Sequence, residues 1–298
     1  MNNQNFLIFD VGGTDVKYGI LNNLGEILEK GKYPTPKNLD EFLNNIFYKI
    51  KENKEKINGI SISFPGAVDS DTGIIKGFSA LPYIHGPNFK EIIEEETGFK
   101  IEMENDANCT ALAEAWLGNA KDKKDSILVT IGTGIGGAII KDKKIHRGIN
   151  LHGGEIGYML SEKNKDGSYA IWSDTASTRA LINKMSQLSN IDKKELNGQL
   201  IFKMLENGDE NARLATDYFY TKLAEGIYNL QYIYDPEVIL LGGSISSRND
   251  LCKKVEEKVD IILEKVKVGK IKPVIKHCKF KGDANLIGAL YHFIQRQN

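Results

Sequence analysis

Phe6-Leu7-Ile8-Phe9-Asp10-Val11-Gly12-Gly13-Thr14 decides the fold. The apolar run 6–9 reads as a buried strand that hands a carboxylate, Asp10, to a Gly-Gly-Thr turn. Glycines let a backbone bend sharply and approach a ligand with no Cβ in the way. Further strands are predicted at 16–21 and 26–33, with a turn at Asn22-Asn23-Leu24-Gly25 between them. Phe42, Leu43, Ile46, Phe47 and Ile50 recur at i, i+3, i+4, which predicts a helix over 39–52 with one apolar face. A strand at 57–63 stops at Pro65-Gly66, and a helix begins after Asn88 and ends at Gly98. A strand at 100–104 then runs directly into a small-residue helix at 107–117.

The opening pattern returns further on. Residues 126–131 predict a strand, 132–137 a glycine turn and 138–141 a strand, which implies two halves of similar construction. Helices are predicted near 176–188, 197–206 and 209–234, a strand at 238–241, and a last helix from 285 to about 295. Alternating strands and helices define an α/β protein.

Composition narrows the class. The 298 residues fit about two domains. A hydrophobic content of 41% supports packed cores rather than disorder. The net charge of −1 gives no reason to expect nucleic acid or an anionic membrane as partner. Cys109, Cys252 and Cys278 are far apart and form no CxxC pair, so they read as structural thiols of a reducing compartment. No run approaches the roughly 20 apolar residues of a membrane span. Residues 1–5 carry no basic leader, and the expectation is a cytoplasmic protein.

Three glycine turns are candidate ligand sites. In the first, the N–H groups of Gly12 and Gly13 and the Thr14 hydroxyl can donate to phosphate oxygens, and Asp10 can hold Mg²⁺ through water. A plain hairpin turn explains the same residues. The second, Gly132-Thr133-Gly134-Ile135-Gly136-Gly137, has four glycines in six residues. It is no Walker A loop, because Gly-Lys-Ser/Thr is missing, and a strand rather than a helix follows, against a dinucleotide fingerprint. A phosphate cradle remains. The third, Leu241-Gly242-Gly243-Ser244, ends a buried strand and can let a purine ring lie against backbone.

Glu104-Asn105-Asp106-Ala107-Asn108 places polar residues between a strand and a helix, where open α/β sheets bind ligands. Asn105 can donate and accept, which suits sugar hydroxyls. Ionised Asp106 only accepts and can take the proton of an attacking hydroxyl; capping the following helix explains it as well. Glu155, in His152-Gly153-Gly154-Glu155, can accept from sugar hydroxyls, against the plainer reading of a solvated surface residue. His152 reads as structural.

Taken in order, D-V-G-G-T-D-V-K from Asp10, S-F-P-G from Ser63, E-N-D-A-N from Glu104, G-T-G-I-G-G from Gly132 and G-G-E-I-G-Y from Gly153 resemble the ROK family of sugar kinases and repressors. L-G-G-S from Leu241 and D-A-N-L-I-G-A-L-Y from Asp283 extend the resemblance over almost the whole chain. It implies a two-domain actin-like ATPase fold with ATP and sugar in the interdomain cleft. The N-terminal domain would be 1–118 plus 283–298, and the C-terminal domain 119–282. It implies that Gly12, Gly13, Thr14, Lys17, Gly132, Thr133 and Gly134 hold phosphates, with Gly242 and Gly243 at the nucleotide and Asp10 at its Mg²⁺. Gly66, Asn105, Asp106 and Glu155 would contact sugar, with Asp106 as the base acting on a 6-hydroxyl.

The sequence departs from the family pattern in one place. Tyr158 stands where a zinc-binding His is usual and residues 159–180 hold no cysteine, so no structural zinc is expected. Trp172-Ser173-Asp174 replaces the region of a further sugar-binding Glu, which makes Asp174 the candidate substitute. Ala80-Leu81-Pro82-Tyr83 and Tyr291-His292-Phe293 look most like β-glucoside kinases, with N-acetylmannosamine kinases and glucokinases next. The repressors' DNA-binding module would precede the first motif, and here that motif begins at residue 10. The resemblance thus implies a kinase acting on a small sugar, as a homodimer.

Overall fold

β1 (Asn5–Val11) is buried from Phe6 to Val11 and forms the middle of the first sheet. It pairs antiparallel with β2 (Asp15–Asn22), which pairs antiparallel with β3 (Ile27–Pro34). On its other side it pairs in parallel with β4 (Gly59–Phe64). A small hairpin, β5 (Ala67–Asp69) and β6 (Ile74–Lys76), follows β4. β7 (Ile101–Asn105) then adds to β4 in parallel. Register puts Asp10 beside Ser63 and Ser63 beside Glu104, so a row of polar residues closes the ends of three apolar parallel strands.

The computed structural model describes residues 4–297, without the side chain of Ser247; residues 1–3, read above as free of a basic leader, lie outside it. The first sheet belongs to a unit made of Met1–Lys121, Lys143–Gly153 and Phe280–Asn298. One face of the sheet buries α1 (Leu39–Asn53) through Phe42, Ile46 and Ile50, and α2 (Phe89–Thr97) through Phe89 and Ile93. Asn88 caps α2 by accepting from Glu91 N–H, and Gly98 ends it in the left-handed conformation at φ 71°. The other face buries α3 (Asp106–Leu117) and the C-terminal helix, Ala284–Gln297. These two helices meet backbone to backbone: a Cβ on Gly288 would lie 1.7 Å from the Cys109 carbonyl oxygen.

The second unit comprises Asp122–Asp142 and Gly154–Lys279. β8 (Ser126–Ile131) pairs antiparallel with β9 (Ile135–Lys141). β10 (Lys144–Ile145) lies in the intervening segment that belongs to the first unit. β11 (Leu160–Lys163) and β12 (Tyr169–Ile171) form a separate hairpin. Then come α4 (Trp172–Ala176), α5 (Thr178–Ser189), α6 (Gly198–Glu206) and α7 (Glu210–Tyr234). β13 (Val238–Gly242) pairs in parallel with β8, and after α8 (Leu251–Lys265) β14 (Ile275–His277) pairs in parallel with β13. A strand with an antiparallel partner on one side and two parallel strands on the other thus occurs in both units, as the internal repeat predicts.

The differences from the predicted elements have local causes. The second glycine turn is shorter than predicted, since Gly136 and Gly137 lie inside β9. Gly136 sits opposite Thr130, whose Oγ1 would be 2.7 Å from a Cβ there, so this glycine makes room rather than a turn. The helix near 176–188 divides at Ser177, which is extended and whose side chain caps α5 by accepting from the Ala180 N–H. α8 lies in a region the sequence reading leaves unassigned; Leu251, Val255 and Val259 bury its apolar stripe. Among the described residues no helix is long and apolar enough to cross a membrane.

Candidate active site

The first turn delivers Asp10 as predicted. Asp10 is 7% exposed and accepts from Asn285 Nδ2 at 2.9 Å; Asn285 Oδ1 in turn accepts from Thr110 Oγ1 at 2.6 Å. Lys17 Nζ lies 3.6 Å from the second Asp10 oxygen and donates to the Gly282 carbonyl. The Gly12 N–H is engaged within the turn by the Asp15 carbonyl (3.1 Å), and the Gly12 carbonyl accepts from Thr35 Oγ1. Gly13 and Thr14 stand exposed at the tip.

Asn105 and Asp106 occupy the strand-to-helix turn at the end of β7. Asn105, not Asp106, is the cap: its side chain accepts from the Asn108 N–H at 3.1 Å. Its Nδ2 donates to the Gly66 carbonyl at 3.0 Å, which brings two predicted sugar residues together. Gly66 itself needs glycine, with φ at 98°. Asp106 is the first helical residue, half-buried, and its Oδ1 accepts from Ala107 N–H at 2.8 Å. A carboxylate here gains from the positive end of the α3 dipole. The capping explanation of Asp106 is therefore replaced by one in which its neighbour caps.

The other two turns belong to the second unit. Gly132 N–H is engaged by the Gly134 carbonyl, and the Gly132 carbonyl accepts from Thr178 N–H at the start of α5. Ser173 Oγ accepts from the Ile135 N–H at 3.0 Å and supports the turn from below. A Cβ on Gly132 would meet nothing within 4 Å, so open space lies over it. Gly243, with φ at 88°, presses against Ile131: a Cβ would lie 2.4 Å from that carbonyl oxygen. Beyond Gly243 opens a cavity of about 580 Å³ lined by Thr178, Asn197, Phe202, Lys203, Ser244 and Arg248 among others. The Arg248 guanidinium stacks 4.1 Å over the Phe202 ring and is paired with Asp250 and Glu206. Thr178 Oγ1 itself is buried behind the cavity surface, with no partner among the described residues.

Two further candidates are less enclosed. Glu155 is exposed. Asp174 is also exposed, and its carboxylate accepts from the Ile171 N–H (3.3 Å) and pairs with Arg179 (3.2 Å). Sequence reasoning missed the cavity wall, because Thr178, Asn197, Phe202 and Arg248 come from separate segments. The one signal for it was the Gly-Gly-Ser turn beside Arg248.

This is the actin-like ATPase fold, with a polar turn at the strand ends of one unit and an open glycine turn beside a cavity in the other. The model of the ROK family matches residues 7–296, and the chain belongs to that family. It is 36% identical over 294 residues to the β-glucoside kinase of Listeria innocua, covering 97% of both chains. It is 30% identical over 289 residues to the β-glucoside kinase of Klebsiella pneumoniae, covering 96% and 95%. The crystal structure of a ROK family protein from Streptococcus pneumoniae in complex with sucrose superimposes with a TM-score of 0.92 at 35% identity, covering 99% of both chains.

Proposed function

We propose that the protein transfers the γ-phosphoryl group of ATP to the 6-hydroxyl of a β-glucoside, with Asp106 as general base. The chain is a ROK-type carbohydrate kinase. The observation that carries the finer reading is the Asn105–Asp106 turn: a half-buried carboxylate at a helix start, beside an amide fastened to Gly66.

Phosphoryl transfer needs positioning and charge neutralisation more than covalent chemistry. Asn105, Gly66 and Glu155 would hold the sugar, and Asp174 would join them only by giving up its pair with Arg179. Asp106 would orient the hydroxyl and accept its proton as the oxygen attacks phosphorus. The cavity next to Gly243 would take the nucleoside, with Phe202 and Arg248 in its wall and bare backbone at the Gly242-Gly243 turn. Gly13, Thr14, Thr133 and Gly134 carry the N–H groups best placed for phosphate, with Lys17 adding charge. The donor set also fits Mg²⁺, which prefers few carboxylates with waters and phosphates, and Asp10 would hold it. Bound there, Mg²⁺ would neutralise phosphate charge. The reading takes the protein to be cytoplasmic, homodimeric and free of structural zinc, with Tyr158 at the place of the family's histidine.

The test is Mg²⁺-ATP-dependent ADP release across cellobiose, gentiobiose, simple β-glucosides, glucose and N-acetylmannosamine. β-Glucosides are expected to lead in kcat/KM. A clear preference for glucose or N-acetylmannosamine would overturn the substrate, and background rates with every sugar would overturn the activity.

A further inference from the structure

Behind the Asn105–Asp106 turn lies a set of buried charges that the proposed chemistry does not use. Glu104 is fully buried at 0% exposure, and Glu102, on the same face of β7, is 6% exposed. Glu102 accepts from Lys90 Nζ at 2.7 Å, and Arg296 Nε lies 3.4 Å away. Glu104 is tied to the candidate site instead. Its Oε1 accepts from the Asn105 N–H (2.7 Å) and from Asn108 Nδ2 (2.9 Å). Its Oε2 accepts from Arg147 Nε (3.0 Å) and Nη2 (2.5 Å). His292 Nδ1 is 3.9 Å from the same oxygen, but burial holds that imidazole neutral, with its pKa pushed down to about 4. Arg147 is therefore the standing cation on Glu104 at neutral pH.

Arg147 comes from Lys143–Gly153, the segment of the first unit flanked in sequence by the second. The segment closes on itself, because Gly153 N–H donates to the Arg147 carbonyl at 2.8 Å. Glu155 follows two residues later in the sequence.

We propose that Arg147 is a positioning residue of the reaction: through its paired hydrogen bonds to the buried Glu104 carboxylate, it fixes the turn that aims Asp106 and fastens the segment that precedes Glu155 in sequence. Removing one partner of a buried ion pair is strongly destabilising, because the other is left buried without it. Without Arg147 the buried carboxylate lacks its main partner, and the rearrangement that relieves this loosens its grip on the Asn105 N–H and Asn108 Nδ2. Misplacing a catalytic group by about 1 Å costs on the order of 10²-fold in rate. The proposal rests on Asp106 being the base.

The experiment compares Arg147→Met, Arg147→Lys and Glu104→Gln/Arg147→Met with the parent protein. Arg147→Met is expected to lower kcat about 10- to 100-fold while KM for ATP stays within about 2-fold. Arg147→Lys, which keeps the charge, should restore part of the loss, and so should the double variant, which removes the charge that needs a cation. Hydrogen exchange at the amides of residues 105–108 should quicken in Arg147→Met. Should that variant fail to fold, Glu104→Gln is measured in its place, with lowered kcat and faster exchange at 105–108 expected. Parent-like kcat, or unchanged exchange at 105–108, in whichever of these two variants folds overturns the proposal. Exchange is read without turnover, so it reports on positioning even if Asp106→Asn kept its activity and sank the base assignment.

Discussion

The two units build the same sheet and finish it differently. In the first, β1, β4 and β7 carry Asp10, Ser63 and Glu104 one residue before their ends, set side by side by register. In the second, the position equivalent to Asp10 is Thr130, one pair before the turn in each hairpin, and its parallel neighbour is Gly242. One rim is charged and hydrogen-bonded, with Lys17 opposite Asp10; the other is neutral, with Gly136 opposite Thr130. A shared backbone therefore presents two chemically different rims. Fixed charge suits a reacting hydroxyl and a metal-bound phosphate, and bare backbone suits the body of a nucleotide.

The largest effect expected from breaking this contrast is at the charged rim. Asp106→Asn keeps the shape and the acceptor for Ala107 N–H but removes the proposed base, so turnover should fall about 10²-fold or more while sugar binding persists. A folded variant with near-parent turnover would sink the assignment. Next is the charge stored behind that rim. Burial, the main cause, pushes the His292 pKa from 6.5 down to about 4, with nearby Glu104 opposing. Between those values the unfolded chain binds the proton and the folded chain does not. Stability must then rise with pH across this window and be lost as pH falls through it, by about 3 kcal/mol. Urea unfolding at pH 7 and pH 4.5 should show the loss, and His292→Gln should flatten the slope. An unchanged slope in His292→Gln would mean that other groups carry it.

Legibility divides along the same line. Strand, glycine turn and strand were readable twice, because apolar runs and glycines are local signals. The helix face Phe42, Ile46, Ile50 and the caps Asn88 and Gly98 were readable for the same reason. Sequence alone does not single out Asn105 rather than Asp106 as the cap of α3, because both residue types cap helices equally well. Lys143–Gly153 showed nothing of its membership in the first unit. It has no periodicity, and its ties, Arg147 to Glu104 and Gln295 to the Lys143 carbonyl, join residues remote in sequence. Glu104 and His292 stand in separate motifs and Glu102 in none, so the approach of His292 to both carboxylates is not legible for the same reason. In the second unit the glycines marked the neutral rim, but the cavity beside it is assembled from helix starts and turns that share no local pattern.

The neutral rim gives the smallest and sharpest test, because two of its glycines should fail in different ways. Gly243 has φ at 88°, and a Cβ would lie 2.4 Å from the Ile131 carbonyl oxygen. Gly243→Ala should therefore cost about 2 kcal/mol of stability through strain and overlap, visible as a lowered Tm with ATP absent. Gly132 does not have positive φ, and its Cβ would meet no protein atom within 4 Å. Gly132→Ala should keep the parent Tm to within about 1 kcal/mol of stability yet raise KM for ATP about 10-fold, since the methyl would occupy space kept for phosphate. If Gly132→Ala bound ATP as the parent does, the second turn would be a structural hairpin. The contrast between a charged rim and a nucleotide rim would then rest on the cavity at Thr178 alone.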